Sequence, residues 1–242
     1  MRPERLVAAL GTTTGVGKTW MGVAVLSRLR SAGLTVAARK PVQSFAPGEG
    51  PTDAALLGDA TGEAVESVCP PHRSYEAAMA PPMAAQVLGM TPFGIADLVD
   101  EMSWRSPVAL GWVETVGGPR SPVAADGDSA DLAAALEPDV VVLVAEAGLG
   151  AINAVRLAAA ALDQPPVVVL NRYDDSDLHR RNRAWLATDG FDVVVGPGEL
   201  VGRLSAPDPD PRPRAITPLS GCSRGRPGSA EVDGAGDAQS LE

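Results

Sequence analysis

The stretch Gly11-Thr-Thr-Thr-Gly-Val-Gly-Lys-Thr19 carries the residue types that wrap a chain of phosphates. Gly15 and Gly17 let successive backbone N–H groups curl round phosphate oxygens with no Cβ in the way, and a following helix N-terminus adds partial positive charge. Lys18 supplies a point charge for the β- and γ-phosphates, and the Thr19 hydroxyl is placed to ligate a phosphate-bound magnesium ion. The formal loop pattern has glycine six residues before the lysine; Thr12 holds that place here, and Gly11 precedes it. The expected ligands are a nucleoside triphosphate and Mg2+.

Other residues could complete a phosphoryl-transfer site. Lys40, fixed by Pro41, follows the apolar run at 34–38 and should project a second positive charge where a transferred phosphoryl group develops negative charge. Asp53 opens a helical stretch, and Glu114 ends the apolar run at 108–113 just ahead of Gly117-Gly118. With Thr19, these carboxylates form an oxygen set of the kind that holds magnesium beside phosphate. Asp53 taken alone reads as a helix N-cap. Asn171-Arg172 ends another apolar run, and the Asn171 amide could pair with a nucleobase edge. Asn171-Arg-Tyr-Asp174 also resembles the guanine-reading motif of GTPases, so ATP, GTP and CTP stay open. His72 and His179 have no partner at ligand spacing, and the serines lack a nucleophile-elbow setting.

A frame must bring these strand ends together. Short apolar runs at 6–10, 34–38, 108–113, 140–145, 167–170 and 191–195 read as buried strands. Helix-compatible stretches lie between them at 20–30, 53–57, 83–88, 131–136, 152–162 and 178–186. That alternation predicts an α/β fold of the P-loop NTPase type, a mostly parallel sheet flanked by helices with its ligands at the carboxyl edge. Of the 242 residues, 45% are apolar and only 4% aromatic, enough for one domain, expected over residues 1–204. From Ser205 onward, prolines alternate with charged residues, and 205–242 reads as a Pro/Gly-rich disordered tail. A net charge of -10 and a pI near 4.7 argue against nucleic-acid or anionic-membrane partners. No apolar run approaches membrane length, and Cys69 and Cys222 lack ligand or redox spacing, so a cytoplasmic protein is expected.

In order, the glycine loop, Lys40-Pro-Val-Gln-Ser44, Asp53, Glu114 before Gly117-Gly118, Gly148-Leu-Gly-Ala-Ile-Asn153 and Asn171-Arg172 resemble the dethiobiotin synthetase family. The likeness runs across residues 6–204 and includes the displaced first glycine. It implies an ATP- and magnesium-dependent ligase of biotin biosynthesis that closes the ureido ring of dethiobiotin from 7,8-diaminononanoate and CO2. It implies that Lys18 and Lys40 are catalytic, that Thr19, Asp53 and Glu114 hold the metal, and that Ser44 touches the substrate. The nucleotide site would extend over Gly15, Val16, Gly17, Trp20, Thr115, Val116 and Gly117, with Asn171, Arg172 and a turn at Pro197-Gly198-Glu199 around the base. Members of the family are homodimers with the active site at the interface. There Leu149, Gly150, Ile152 and Asn153 would open a helix whose amides bind the substrate carboxylate of the neighbouring subunit.

Two departures stand out. The family has Glu-Gly-Ala-Gly-Gly where this chain has Glu114-Thr-Val-Gly-Gly118, so Thr115 and Val116 are expected to put side chains where backbone would approach the nucleotide. The tail is outside the family pattern. A diverged, non-catalytic paralogue is one alternative. A nucleotide-switch ATPase of the partition or septum-site kind is another, although Thr13 stands where those carry a signature lysine.

Overall fold

The computed structural model describes residues 2–105 and 107–206. Strand β1 (Arg5–Gly11) leads through the glycine loop into α1 (Lys18–Ser31), and β2 (Val36–Arg39) follows. A region of short elements comes next: β3 (Gln43–Ser44), α2 (Asp53–Thr61), α3 (Val65–Val68), β4 (Ser74–Tyr75), α4 (Pro81–Val87) and α5 (Ile95–Asp100). After β5 (Leu110–Glu114) come β6 (Pro122–Ala124), β7 (Gly127–Asp128) and α6 (Ser129–Ala135). The chain then alternates β8 (Val140–Glu146), α7 (Ala151–Ala159), β9 (Val167–Asn171), α8 (Asp177–Thr188), β10 (Asp192–Val195) and α9 (Gly196–Ser205).

Six strands form one parallel sheet in the order β10-β9-β8-β1-β5-β2. The alternation of side chains along each strand sorts them into two cores. Val7, Ala9, Val142, Val144 and Val169 pack on one face with Met21, Leu26 and Leu29 of α1, Leu57 of α2 and Leu200 of α9. Ala8, Leu10, Val141, Leu143 and Val168 pack on the other with Ala133 of α6, Val155 of α7 and Leu186 of α8. Being covered on both faces is why the central strands read as unbroken apolar runs. A third cluster, with Val42, Tyr75, Phe93, Leu98 and Val123, knits the short elements together.

All six expected strands are present, with shifted bounds. Leu34 is 37% exposed and lies ahead of β2, and β5 begins at Leu110 rather than at 108. α4 starts at Pro81 instead of residue 83, because proline suits a helix's first turn, where its missing N–H has no bond to lose. α2 runs on to Thr61 and stops at Gly62, whose φ is 78°. The residues 197–199, expected as a turn, form the start of α9. That helix carries order through Ser205, one residue past the expected domain edge; the rest of the anticipated tail, 207–242, lies outside the described residues.

Candidate active site

Strand register assembles the charged centre. Ala9 of β1 pairs with Glu114, and Arg39 of β2 pairs with Val113, so Lys40, one residue beyond β2, comes level with Glu114 at the carboxyl edge of the sheet. The glycine loop leaves β1 at the same edge. A Cβ on Gly11 would lie 2.7 Å from Val16 Cγ2 and 2.8 Å from the Thr13 carbonyl. The displaced glycine is thus required because the loop closes over it. Gly17 has φ 95°, and a Cβ there would come within 2.2 Å of Asn171 Nδ2, which donates to the Val16 carbonyl at 2.8 Å.

Lys18 donates to the Gly117 carbonyl at 2.9 Å. The Thr19 hydroxyl lies 2.8 Å from Asp53 Oδ1 and 2.9 Å from Glu114 Oε1. Lys40 Nζ lies 2.7 Å from Glu114 Oε1 and 2.9 Å from Asp53 Oδ2, and it donates to the Thr115 carbonyl at 3.2 Å. Lys40 and Glu114 are buried. Burial penalises the Lys40 charge, but Glu114 and then Asp53 more than offset it and hold its pKa above the usual lysine value. Burial and the neighbouring Lys40 charge push Lys18 down to about 8, against the opposing pull of Glu114 and Asp53. Burial raises the Asp53 carboxyl, yet the charge of Lys40, with hydrogen bonds from Lys40 and Thr19, leaves it below its ordinary range. Asp53 is not the helix cap. Thr52 is, its side chain accepting from Ala55 N at 3.2 Å, which leaves the Asp53 carboxylate for the cluster.

Gly15, Gly17, Lys18, Thr19, Trp20, Lys40, Ser44, Asp53, Glu114, Val116 and Gly117 all line one cavity of about 670 Å³. A second cavity of about 530 Å³ shares Gly17 and Trp20 with it and is walled by Asn171, Arg172, Tyr173, Val195, Gly196 and Pro197. The remaining expected site residues line neither cavity. Val16 is buried under the loop. Gly198 and Glu199 sit in the first turn of α9, and the Glu199 carboxylate is engaged by Val195 N at 3.0 Å and Arg183 at 2.8 Å. Gly150 caps α7 with φ 92°, Ile152 packs into the second core, Leu149 is 94% exposed, and Asn153 is exposed too. Thr115 does not present the side chain to the site as expected: it is buried, with Oγ1 3.4 Å from the Ala9 carbonyl, so it turns into the sheet and lines neither cavity.

Sequence reasoning missed Gln43, Tyr173, Gly196 and Ser121. Gln43 Oε1 accepts from Ala54 N at 3.1 Å and so steers the start of α2 and Asp53 with it; its place inside the Lys40–Ser44 motif was the available signal. Ser121 accepts from Gly118 N at 2.9 Å at the cavity wall. Cys69 is buried, burial drives its thiol up to about 12, and it lines neither cavity.

A parallel sheet whose first strand ends in a lysine-bearing glycine loop defines a P-loop nucleotide-binding protein of α/β type. Residues 6–195 match the family model described as "AAA domain". The chain is 42% identical over 176 residues to an ATP-dependent dethiobiotin synthetase of an Anaeromyxobacter species, covering 69% of this chain and 76% of that protein. It is 38% identical over 211 residues to the ATP-dependent dethiobiotin synthetase of Rhodococcus jostii, covering 83% and 89%. The chain belongs to the ATP-dependent dethiobiotin synthetase family. Among solved structures, it resembles a putative plasmid partition protein of Borrelia burgdorferi bound to AMPPNP, with a TM-score of 0.51 at 13% identity over 80% of this chain and 86% of that one. It also resembles the signal recognition particle receptor of Elizabethkingia anophelis in complex with GDP, with a TM-score of 0.50 at 17% identity over 83% and 59%. At those identities the likeness is one of fold. No helix of the described residues is long and apolar enough to cross a membrane.

Proposed function

We propose that this protein is a cytoplasmic ligase that closes the ureido ring of dethiobiotin from 7,8-diaminononanoate, CO2 and ATP. The observation that carries the reading is the convergence of Lys18, Lys40, Thr19, Asp53 and Glu114 on one cavity that adjoins a second walled by Asn171, Arg172 and Tyr173. One substrate amine adds to CO2 and loses a proton to give a carbamate. A carbamate oxygen then attacks the γ-phosphorus, breaking its bond to the bridging oxygen and releasing ADP. The second amine attacks the carbamoyl carbon, phosphate leaves with the bond electrons, and the amine's proton passes to solvent as the ring closes. Lys18 and Lys40 hold phosphate and carbamate oxygens in line, the positioning and charge stabilisation that phosphoryl transfer requires. Ser44 supports a substrate contact at the cavity wall, where its hydroxyl donates to the Met79 carbonyl at 2.6 Å.

The donor set suits magnesium. A hydroxyl and two carboxylates are hard oxygen ligands, and Glu114 Oε2 is buried without a hydrogen-bond partner. Thr19, Asp53 and Glu114 would hold the ion. When bound, it neutralises charge on the β- and γ-phosphates. A homodimer is part of the same reading, with the exposed Leu149 and Asn153 reaching a neighbour's substrate.

The test is formation of dethiobiotin, ADP and phosphate by purified protein given the diamine, bicarbonate, magnesium and ATP. Nucleotide hydrolysis that runs as fast without the diamine would sink the proposal. The same assay with ATP, GTP and CTP in competition identifies the preferred triphosphate.

A further inference from the structure

The wall of the base cavity depends on a connection that is held from behind. Arg172 and Tyr173, two of its lining residues, belong to the link between β9 and α8, and this link adopts backbone conformations that side-chain residues disfavour. Arg172 has φ 54° and Asp175 has φ 59°, and such angles persist only where surrounding contacts over-determine them. On the β9 side the fastening is to the glycine loop: Asn171 donates to the Val16 carbonyl, and Arg172 Nη2 lies 3.2 Å from the Gly15 carbonyl. On the α8 side it is made by His179.

His179 Nδ1 lies 3.2 Å from Asp174 N and 2.6 Å from Asp174 Oδ1. A neutral imidazole accepts from the amide and a protonated one donates to the carboxylate, so Asp174 is tied in either form. The ring also packs against Tyr173, with centroids 5.6 Å apart and planes 36° from parallel. Its side chain is only 13% exposed. The helix beneath it is itself anchored. Ser176 caps α8 by accepting from His179 N, and Asn182 donates to the carbonyls of Ala147 and Gly148 at 2.8 and 2.9 Å.

We infer that His179 is a positioning residue for the nucleobase, acting through Tyr173 and Asp174 to hold the β9–α8 link as one wall of the base cavity. This rests on the nucleotide site of the proposed function. His179 lines neither cavity, so its removal should weaken whatever the wall touches and spare the phosphate end. Ligands with and without a base separate the two. Dissociation constants for magnesium-ADP and magnesium-tripolyphosphate, measured by calorimetry on the full chain, are compared among wild type, His179→Ala, His179→Phe and Asp174→Ala.

The inference predicts that His179→Ala weakens ADP about tenfold, the effect of losing one hydrogen-bonded fastening, and leaves tripolyphosphate unchanged. Asp174→Ala should reproduce part of the loss, and His179→Phe, which keeps the ring contact, should fall between alanine and wild type. Equal weakening of both ligands, or undiminished ADP binding in His179→Ala, overturns it, as does a wild-type protein that binds tripolyphosphate and ADP equally. Wild-type protein that favours ADP yet makes no dethiobiotin would sink the synthetase reading and leave this inference standing.

Discussion

The two cavities that meet at Gly17 and Trp20 are built in opposite ways. At the proposed phosphate end, Lys40 and Glu114 are buried beside neighbouring strand ends, and the polar groups there are claimed more than once: Lys40 by Glu114, Asp53 and the Thr115 carbonyl, Thr19 by both carboxylates. At the proposed base end the wall is an exposed link and the first residues of a helix. Arg172 pairs at the surface with Glu146, and Trp20 leaves 56% of its surface open. Charge interactions strengthen as water is excluded, so the first region is suited to stabilising a transition state. The second can contribute binding but little to chemistry.

Lys40 is where that contrast can be broken most severely. Replacing it by alanine removes one charge aimed at the transferring group, and the loss of one such donor lowers turnover by about a hundredfold or more. Nucleotide affinity should stay largely intact, because the loop amides, Lys18 and the base cavity are untouched. The same change leaves Glu114 buried without its cation, which costs about 3–5 kcal/mol of stability, so the melting temperature should fall as well. Rates and nucleotide dissociation constants measured together decide the matter. A variant that loses nucleotide binding in step with turnover would show that the two cavities do not divide their work as described.

Lys18 gives the next largest effect, in the form of a pH dependence. Its pKa in the fold, about 8, lies below the ordinary lysine value of 10.5, so folding disfavours its proton. Stability should therefore increase as pH rises from about 8 to 10.5, because the unfolded chain holds that proton and the folded one does not. Phosphate oxygens supply the missing counter-charge and restore the proton on binding. Nucleotide affinity should accordingly fall above pH 8, by up to about tenfold per pH unit for one linked proton. Calorimetry in buffers of different ionisation enthalpy reads the proton directly. A flat profile between pH 7.5 and 9.5, on the order of the range set by that linkage, would mean that Lys18 keeps its charge without a ligand.

The proposed phosphate end was the more legible in sequence because the strands that lead to it are buried. Strands buried on both faces announce themselves as apolar runs, and a charged residue at the end of such a run, Lys40 or Glu114, has few places to go except a shared edge. The base end offers no such rule. Tyr173 lines the cavity from a link in which Arg172 takes a positive φ, and His179, without a partner at ligand spacing, finds Asp174 through a helix start. α9 was hidden by Gly196-Pro-Gly198, which reads as a turn, although Leu200 and Leu204, one helical turn apart and both buried, were the sign of it. Asp53 was ambiguous until Thr52 took the capping role.

Thr115 tests the finest part of the comparison, since period-two alternation at the end of β5 decides which cavity-facing surface the phosphate end presents. Glu114 faces the charged centre, so its successor must face the other way, and Thr115 does: its hydroxyl is directed to the Ala9 carbonyl inside the sheet. The departure from the family's glycine at this place then falls in the packing behind the site, and the Thr115 side chain lines neither cavity. Thr115→Ala should cost about 0.5–1.5 kcal/mol of stability, the range for one weak internal hydrogen bond. The KM for nucleotide should shift by no more than about twofold, as for a change that makes no ligand contact. Val116→Ala, by contrast, enlarges the cavity that Val116 lines and should move KM more than Thr115→Ala does. If Thr115→Ala shifts KM the further of the two, the side chain reaches the nucleotide, and the proposed phosphate end is less completely walled off from residue choice just beyond β5 than its geometry indicates.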